Sequence, residues 1–165
     1  MNTSVRDCVR CSAITAKGTR CSRNTCIYPG MCFQHFITRT GLKLTPSNIP
    51  NSGLGLFTTR AIQPYRKISD YTGNIVPDDE WAQNQSAYGV QFDEDHTLDG
   101  GSTQSGIARY ANDCNKKDRI AGRCRGNNSQ LRHTKQNTVI LESKSRRIPA
   151  NTEIFTSYGA AYWGN

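Results

Sequence analysis

The first residues that could carry chemistry are cysteines and a histidine close to the N-terminus. Five of the seven cysteines lie within the first 32 residues, and a histidine follows them. The pattern is Cys8-x2-Cys11-x9-Cys21-x4-Cys26-x5-Cys32-x2-His35. Zinc takes four such ligands at tetrahedral corners, and short Cys-x2-Cys or Cys-x2-His pairs place two ligands on one turn. An odd cysteine total with one local cluster favours metal binding in a reducing compartment over a disulfide framework.

Six candidate ligands compete for four positions, so the residues alone leave alternatives open. Cys8 could replace Cys11, and Cys26 could replace Cys21. The segment is short and polar, so a metal ion could supply the free energy that folds it. We expect structural Zn²⁺ and not a catalytic ion, because residues 8–35 contain no carboxylate that could complete an open site.

The same segment resembles a short zinc-knuckle module that is common in proteins of large DNA viruses. The resemblance rests on the run from residue 11 to residue 21 followed by Cys-x2-His. It implies that the zinc ligands are Cys11, Cys21, Cys32 and His35. Cys8 and Cys26 are then left over, and the distant Cys124 is expected to be a free thiol.

Three later stretches contain a second set of candidate residues. They are Ser-Gly-Leu-Gly-Leu-Phe at 52–57, Arg-Tyr-Ala-Asn-Asp-Cys at 109–114 and Glu-Ile-Phe-Thr-Ser-Tyr-Gly at 153–159. Alternate glycines let a backbone approach a ligand without obstruction by Cβ atoms. A dinucleotide-binding interpretation fails, because no third glycine or downstream ribose-binding carboxylate follows at the required spacing. The side chain of Asn112 offers both donors and an acceptor to a ligand with mixed polar groups.

Taken together, the three stretches resemble the SET-domain lysine methyltransferases. The resemblance covers about three quarters of the chain, from Leu42 to Trp163. It implies a mostly β SET fold, with short twisted sheets around a C-terminal pseudoknot and a small N-terminal zinc-binding segment. The expected domains are a zinc-binding module over residues 1–38 and a SET domain over residues 39–165. In the pseudoknot, Asn112 and Tyr158 would lie side by side.

The resemblance also implies a site for S-adenosylmethionine and a narrow channel for a lysine side chain. Tyr158 matches the catalytic tyrosine of the family, and Tyr71 matches a tyrosine that borders the channel. The implied cofactor-binding residues are Gly53, Leu54, Gly55, Arg109, Asn112, Asp113, Tyr158 and Trp163. Arg109 is expected to act mainly as a structural anchor of the pseudoknot. Tyr162 and Trp163 resemble an aromatic pair that packs on the adenine or the lysine stem in compact viral members.

One position departs from the family pattern. Asp113 stands where the family has histidine. The adenine contact at this position is usually made by backbone atoms, so cofactor binding can survive, but the carboxylate changes the local electrostatics. This departure supports an alternative function, in which an inactive or catalytically weak SET scaffold binds histones or nucleic acid.

Apolar patterning predicts the positions of several strands. Alternation predicts strands at residues 42–44, 67–76 with a break at Gly73, and 88–92, and a buried apolar run predicts one at 138–141. Pro77 followed by three acidic residues predicts the start of a helix. Residues 115–136 are polar and basic, with glycines and an Asn-Asn pair, and are predicted to form a loop.

The formal net charge of +8 is distributed unevenly. Residues 1–40 contain six Lys or Arg and one acid, residues 109–147 contain eleven Lys or Arg and three acids, and residues 68–107 contain eight acids and no Lys or Arg. A basic chain with one acidic block predicts one surface for a polyanion and another for a cationic substrate. We therefore expect a histone tail as the lysine-bearing substrate and DNA or RNA as the partner of the basic surfaces.

Localisation and assembly follow from simpler signals. No run approaches the roughly 18 apolar residues of a membrane span, and the first residues lack the apolar core of a signal peptide. We expect no membrane association and an intracellular location, in the nucleus or, for a viral protein, the host nucleus. The final residues, Tyr71 or a partner subunit could complete the wall of the lysine channel, and the last of these would make the protein a homodimer.

Overall fold

The computed structural model describes residues 8–83, 86–101, 105–159 and 162 of the chain. Their regular secondary structure is mostly β-strand with few, short helices, as the fold-class prediction requires. In chain order the elements are β1 (Val9–Arg10), β2 (Asn24–Thr25), α1 (Phe33–Thr40), β3 (Leu42–Pro46), β4 (Leu54–Thr58), β5 (Lys67–Tyr71), β6 (Asn74–Pro77), α2 (Asp78–Gln83), β7 (Gly89–Gln91), β8 (His96–Asp99), a 3-10 helix (Ile107–Tyr110), α3 (Lys116–Ile120), β9 (Ser129–His133), β10 (Val139–Ser143) and β11 (Thr152–Ile154). None of the helices in this part of the chain has the length and apolar character needed to cross a membrane.

The chain divides into two compact units. The first contains the described parts of residues 1–41 and 72–106, and the second contains those of residues 42–71 and 107–165. In the first unit, β1 and β2 form a short antiparallel pair. α1 ends at Gly41, whose φ of 73° and N–H bond to the Ile37 carbonyl form a left-handed cap. The Phe36 ring of α1 packs against Tyr28, at 4.9 Å between centroids.

The rest of the first unit is a three-stranded antiparallel sheet in the order β6-β8-β7. Leu98 in the central strand faces Ile75 on one side and Val90 on the other. α2 follows β6 directly and opens with three acidic residues, where the sequence predicted a helix start. Carboxylates are favourable there, because the N-terminal end of a helix carries partial positive charge.

The second unit contains two three-stranded antiparallel sheets, β11-β4-β3 and β5-β10-β9. β10 is central in its sheet and is buried along its whole length. The largest fully buried apolar side chains in the described residues come from this unit, and they are Leu56, Ile107, Val139, Leu141, Ile148 and Ile154. The motifs at 52–57, 109–114 and 153–159 therefore surround the apolar core of a single unit.

The prediction that residues 115–136 form a loop is wrong. α3 begins after Asn115, whose side chain accepts a hydrogen bond from the Asp118 N–H at 2.9 Å and so caps the helix. β9 pairs with β10 as an edge strand, which explains its polar, half-exposed sequence. The expectation that Cys124 is a free thiol is also wrong, because it forms a disulfide with Cys114 across α3.

Candidate active site and metal centre

The C-terminal segment crosses the segment that follows the 3-10 helix. Phe155 forms a parallel bridge with Asn112, and the Thr156 N–H donates to the Asn112 carbonyl at 2.9 Å. Immediately before this point, β11 pairs with β4, the strand that begins at the glycine turn. One crossing thus brings all three sequence motifs together, as expected for a C-terminal pseudoknot.

The side chains of Asn112 and Tyr158 lie side by side at this crossing. The Tyr158 hydroxyl is 3.5 Å from Asn112 Oδ1, which is the outer limit of a hydrogen bond. Asn112 Nδ2 donates to the Leu54 carbonyl at 3.1 Å. A single half-buried amide therefore connects the glycine turn to the tyrosine. The catalytic and cofactor-binding roles of these residues stay predictions.

Asp113 fixes the backbone of Tyr158. Its buried carboxylate accepts from the Tyr158 N–H at 3.0 Å and from Asn127 Nδ2 at 2.8 Å. Asn127 Oδ1 in turn accepts from the Cys114 N–H at 2.8 Å. The residue that departs from the family pattern is thus hydrogen-bonded through both oxygens, to groups that hold the crossing in place.

Backbone conformation explains one glycine of the turn, and a close side-chain contact explains the other. Gly53 has a φ of +67°, a conformation that residues with a Cβ rarely adopt. At Gly55, a Cβ atom would overlap the carboxylate of Glu153. That carboxylate is buried and accepts from the Ser47 hydroxyl at 2.6 Å and the Asn48 N–H at 2.8 Å. Gly55 is therefore required by the close approach of Glu153, and contact of the turn with a cofactor stays a prediction.

Arg109 is buried beside the crossing. Its guanidinium lies 4.9 Å from the centroid of the Tyr110 ring, and Nη2 donates to the Tyr110 hydroxyl at 3.1 Å. Both contacts join Arg109 to the neighbouring Tyr110, so they hold the local structure of the 3-10 helix. Tyr71 is buried at the end of β5, opposite Val139, and β5 packs against the 3-10 helix that contains Arg109.

Aromatic residues near the C-terminus are only partly described. The Tyr162 ring meets the Tyr158 ring edge-on, with 4.7 Å between centroids. Such a contact orients the phenol of Tyr158. Trp163, which the sequence assigned to cofactor binding, lies outside the described residues.

Four residues of the first unit form a candidate metal centre. The ligand atoms of Cys11, Cys21, Cys32 and His35 all lie within 4.8 Å of one another, and the three thiols are buried. His35 Nδ1 is 3.5 Å from the Cys11 sulfur and 3.3 Å from the Cys32 sulfur. Three cysteines and a histidine are a common tetrahedral set for structural zinc.

Cys8 and Cys26 do not compete for this centre. They form a disulfide with each other, so the two alternative ligand sets are wrong. The preference for metal binding over disulfides was also too exclusive, since the chain combines a four-residue cluster with two disulfides. The sequence spacing could not separate the two uses, because all six candidates lie within 28 residues.

The electrostatics of the cluster suit a cation. Burial raises the pKa of Cys11, but hydrogen bonds from the backbone of Cys32 and Ala13 and from His35 outweigh it and lower that pKa to about 6. For Cys21, a backbone hydrogen bond from Arg23 lowers the pKa, yet burial and the neighbouring thiols raise it overall. Several adjacent thiolates repel one another unless a metal ion neutralises them, so the residues present fit zinc.

Comparison with family models places the chain in a known class. A model described as SET domain matches residues 53–159, which include the crossing and all three motifs except Ser52. The chain belongs to the SET-domain family. SET domains are generally protein-lysine methyltransferases that use S-adenosylmethionine. A comparison with curated proteins found no match.

Of the predicted cofactor-binding residues in the described part of the chain, Asp113 alone lines the cleft beside the crossing. A cleft of about 930 Å³ adjoins the crossing, and Asp113, Ser157 and Gly159 line it. That volume lies in the range of small-molecule sites. Lys116 and Lys117 add positive charge that suits a carboxylate. Next to Ser157, the hydroxyl of Thr156 is buried and has no hydrogen-bond partner among the described residues.

Two functional positions were missed at the sequence level. Asn127 and Asn128 were interpreted only as a turn signal, yet Asn127 binds Asp113, and Asn128 donates to the Glu153 carbonyl and accepts from the Phe155 N–H. These partners lie 14 to 27 residues away in the chain. No local pattern indicates such pairings, although two adjacent amides offer an unusual density of donors and acceptors.

Proposed function

We propose that the protein is an S-adenosylmethionine-dependent protein-lysine N-methyltransferase with Tyr158 as its catalytic tyrosine. The observation that carries the proposal is the placement of the Tyr158 hydroxyl beside Asn112, where the glycine turn and both other family motifs meet. A phenol is well suited to this role, because it stays uncharged near neutral pH while its oxygen can orient an amine.

The chemistry divides between the cofactor and the chain. Bound S-adenosylmethionine supplies a methyl group on a sulfonium centre, which needs no further activation. The substrate ammonium, with an ordinary pKa near 10.4, must lose a proton to solvent before its nitrogen can attack. Aromatic walls, with Tyr71 as one of them, lower that pKa by excluding water. Tyr158 would orient the amine nitrogen toward the methyl group that the bound cofactor would supply.

The binding groups follow from the same arrangement. We assign the cofactor to the turn of Gly53, Leu54 and Gly55 together with Asn112, Asp113 and the cleft that Asp113 lines, with Arg109 acting mainly as an anchor. Trp163 stays a prediction. We assign structural Zn²⁺ to the cluster of Cys11, Cys21, Cys32 and His35, as a stabilising group of the first unit. The domain boundary near residue 38 also stays a prediction.

A histone tail is the favoured substrate because of charge complementarity. Residues 68–107 contain eight acids and no Lys or Arg. Hydrogen bonds from Thr97 and Gln91 lower the pKa of Asp78, and bonds from the Asp95 backbone and His96 lower the pKa of Asp93. These groups stay ionised and would attract a Lys/Arg-rich peptide. Contact of the basic surfaces with DNA or RNA, a nuclear location, a homodimer and kinship with viral proteins stay predictions.

The decisive experiment supplies labelled S-adenosylmethionine with a panel of histones and ribosomal proteins, followed by mass spectrometry of the modified residue. We expect label on a histone lysine. Tyr158→Phe, which removes one hydroxyl, should reduce transfer about 100-fold or more by loss of positioning. Tyr65→Phe is the matched control, because Tyr65 is an exposed tyrosine outside the crossing.

Other outcomes separate the alternatives. Cofactor binding without transfer to any protein would favour the inactive scaffold that binds histones or nucleic acid. Transfer to a ribosomal protein and not to histones would retain the enzyme and reject the histone. A folded, zinc-loaded sample without affinity for the cofactor would reject the proposal.

A further inference from the structure

A second cleft in the unit of residues 42–71 and 107–165 has a strongly basic lining. Its volume is about 790 Å³, and its walls are formed mainly by residues 122–128, 144–149 and 151–153, with Asn48 and Phe155. Five lining side chains are cationic, namely Arg123, Arg125, Lys144, Arg146 and Arg147. Glu153 is the one acidic residue of the described lining, and its buried carboxylate already accepts two hydrogen bonds from Ser47 and Asn48. Little negative charge therefore remains to balance the cations.

Most of these cations are not engaged by the protein itself. Arg123 Nη1 binds Asp118 at 3.0 Å. Within the described residues, the other four form no ion pair, and the three arginines among them are exposed. Like charges crowded around one concavity repel one another and concentrate the positive potential there. Such an arrangement indicates a polyanionic ligand.

The walls of this cleft are held in place before any ligand arrives. The Cys114–Cys124 disulfide and the bond from the Gly126 N–H to the Cys114 sulfur, at 2.9 Å, fix the first wall. The second wall is fixed by the bond from the Lys144 N–H to the Asn128 carbonyl, at 3.0 Å. Because the backbone is already ordered, binding would not require ordering of these loops.

We propose that this cleft binds double-stranded nucleic acid through its phosphodiester backbone. Arginines suit phosphate oxygens, because the guanidinium presents paired donors in a planar fork. Proteins that hold single strands usually add aromatic side chains on which bases stack. The only aromatic residue in the described lining is Phe155, and it is buried. The lining therefore favours a duplex over a single strand, and the proposal does not depend on methyl transfer.

The test measures the affinity of the 165-residue chain for a labelled DNA duplex of about two helical turns over a series of salt concentrations. Four phosphate contacts predict a slope of about −3.6 for log K against log salt. Arg125→Gln/Arg147→Gln removes one cation from each wall and should weaken binding about tenfold, with a slope shallower by about 2. The matched control is Lys17→Gln/Lys135→Gln, which changes net charge equally at two exposed lysines outside the cleft. Its affinity should stay within about twofold of the wild type, because neither lysine would contact phosphate.

Each outcome decides the proposal. Selective loss in the cleft variant, with its Tm unchanged from the wild type, supports it. An RNA duplex measured in parallel shows which helical form the cleft prefers, and loss in the cleft variant for either duplex supports the site. Equal weakening of both variants would show a general charge effect and overturn it. Tighter binding of a single strand of the same sequence, or no binding of either duplex, would also overturn it.

Discussion

The metal centre and the Asn112–Tyr158 crossing hold chemically important side chains in place by different means. The centre lies in a segment of short strands and one helix, and its buried apolar residues are mostly the thiol ligands and two aromatic rings. The crossing lies against the fully buried core of two sheets. At the crossing, the carboxylates of Asp113 and Glu153 accept hydrogen bonds from backbone and neutral side-chain donors.

The two regions differ in how their stabilising free energy is distributed. At a zinc centre, most of the stabilisation comes from one metal ion, since the free energy of metal binding is also folding free energy for such a segment. A hydrogen-bond network distributes its contribution over many bonds, each worth only about 0.5–1.5 kcal/mol net. We therefore expect loss of the metal to abolish local structure, and single substitutions at the crossing to weaken it by degrees.

Removal of zinc should have the largest effect. Structural zinc contributes about 10–16 kcal/mol in zinc-finger peptides, far more than the stability of one small unit. Chelation, or Cys21→Ser/Cys32→Ser, should therefore unfold residues 9–40, seen as loss of amide hydrogen-exchange protection there. Elemental analysis should give one zinc per chain before chelation and none after it.

The matched control for the metal ligands is Lys17→Ala/Ser22→Ala. It changes two exposed residues of the same segment that lie outside the cluster. This variant should retain the metal and the protection of the segment. Full protection of the segment in a metal-free sample would show that the Cys8–Cys26 disulfide and local packing are sufficient, and the contrast between the two regions would fail.

The disulfide beside the crossing should have the next largest effect. Cys114 and Cys124 enclose a sequence separation of 10 residues, for which the chain-entropy estimate is about 2–3 kcal/mol. Cys114→Ser/Cys124→Ser should lower the free energy of unfolding of the second unit by that amount in urea titrations. The β sheets should remain folded, because their core is independent of the bridge. A variant as stable as the wild type would show that the bridge is absent in solution.

The sequence predicted the fold class and those elements whose signals are local. The Leu42–Leu44 alternation, the acidic start of α2 and the apolar run at 139–141 each correspond to an observed element. The family motifs were informative together, because they have the required order and spacing. The resemblance to a zinc knuckle also selected the four residues that lie together in the structure.

The features that the sequence did not predict depend mostly on contacts between residues far apart in the chain. α3 and β9 are polar because one is a short surface helix and the other an edge strand, so hydrophobic periodicity could not find them. Asp113 was identified only as a departure from the family pattern, since its hydrogen-bond partners are 14 and 45 residues away in the chain. The pairing of four of the seven cysteines as disulfides was equally out of reach, because spacing alone does not determine connectivity.

Asp113→Asn should have an intermediate effect that tests the network directly. The amide keeps the shape of the carboxylate but presents a donor to either Asn127 Nδ2 or the Tyr158 N–H. One buried bond is lost, which costs about 1–3 kcal/mol. We expect a lower Tm and a weaker affinity for S-adenosylmethionine, measured by calorimetry. A control at Asp79, an exposed acid of α2, should change neither quantity when replaced by Asn. Unchanged cofactor affinity would separate Asp113 from the cofactor site.

The smallest effect is expected at Glu142, a buried carboxylate outside the crossing that is paired with a charged partner. Arg132 donates to both of its oxygens, at 3.0 and 2.8 Å, and these hydrogen bonds are the main cause that lowers the pKa of Glu142. A carboxyl with a lowered pKa stabilises the fold above its unfolded pKa of about 4.3, and this contribution is lost as the pH falls through the folded value.

Glu142→Gln should therefore lower the Tm by about 2–4 °C near neutral pH, and the difference from wild type should shrink below about pH 4. Asp70→Asn is the matched control, because the Lys67–Asp70 pair is 53% exposed on each side and should contribute little. If Glu142→Gln lowered the Tm as much as Asp113→Asn, the charge pair in the sheet would stabilise the protein as much as the hydrogen bonds of Asp113 do. That result would contradict the view that the network at the crossing is the more important of the two in holding Tyr158.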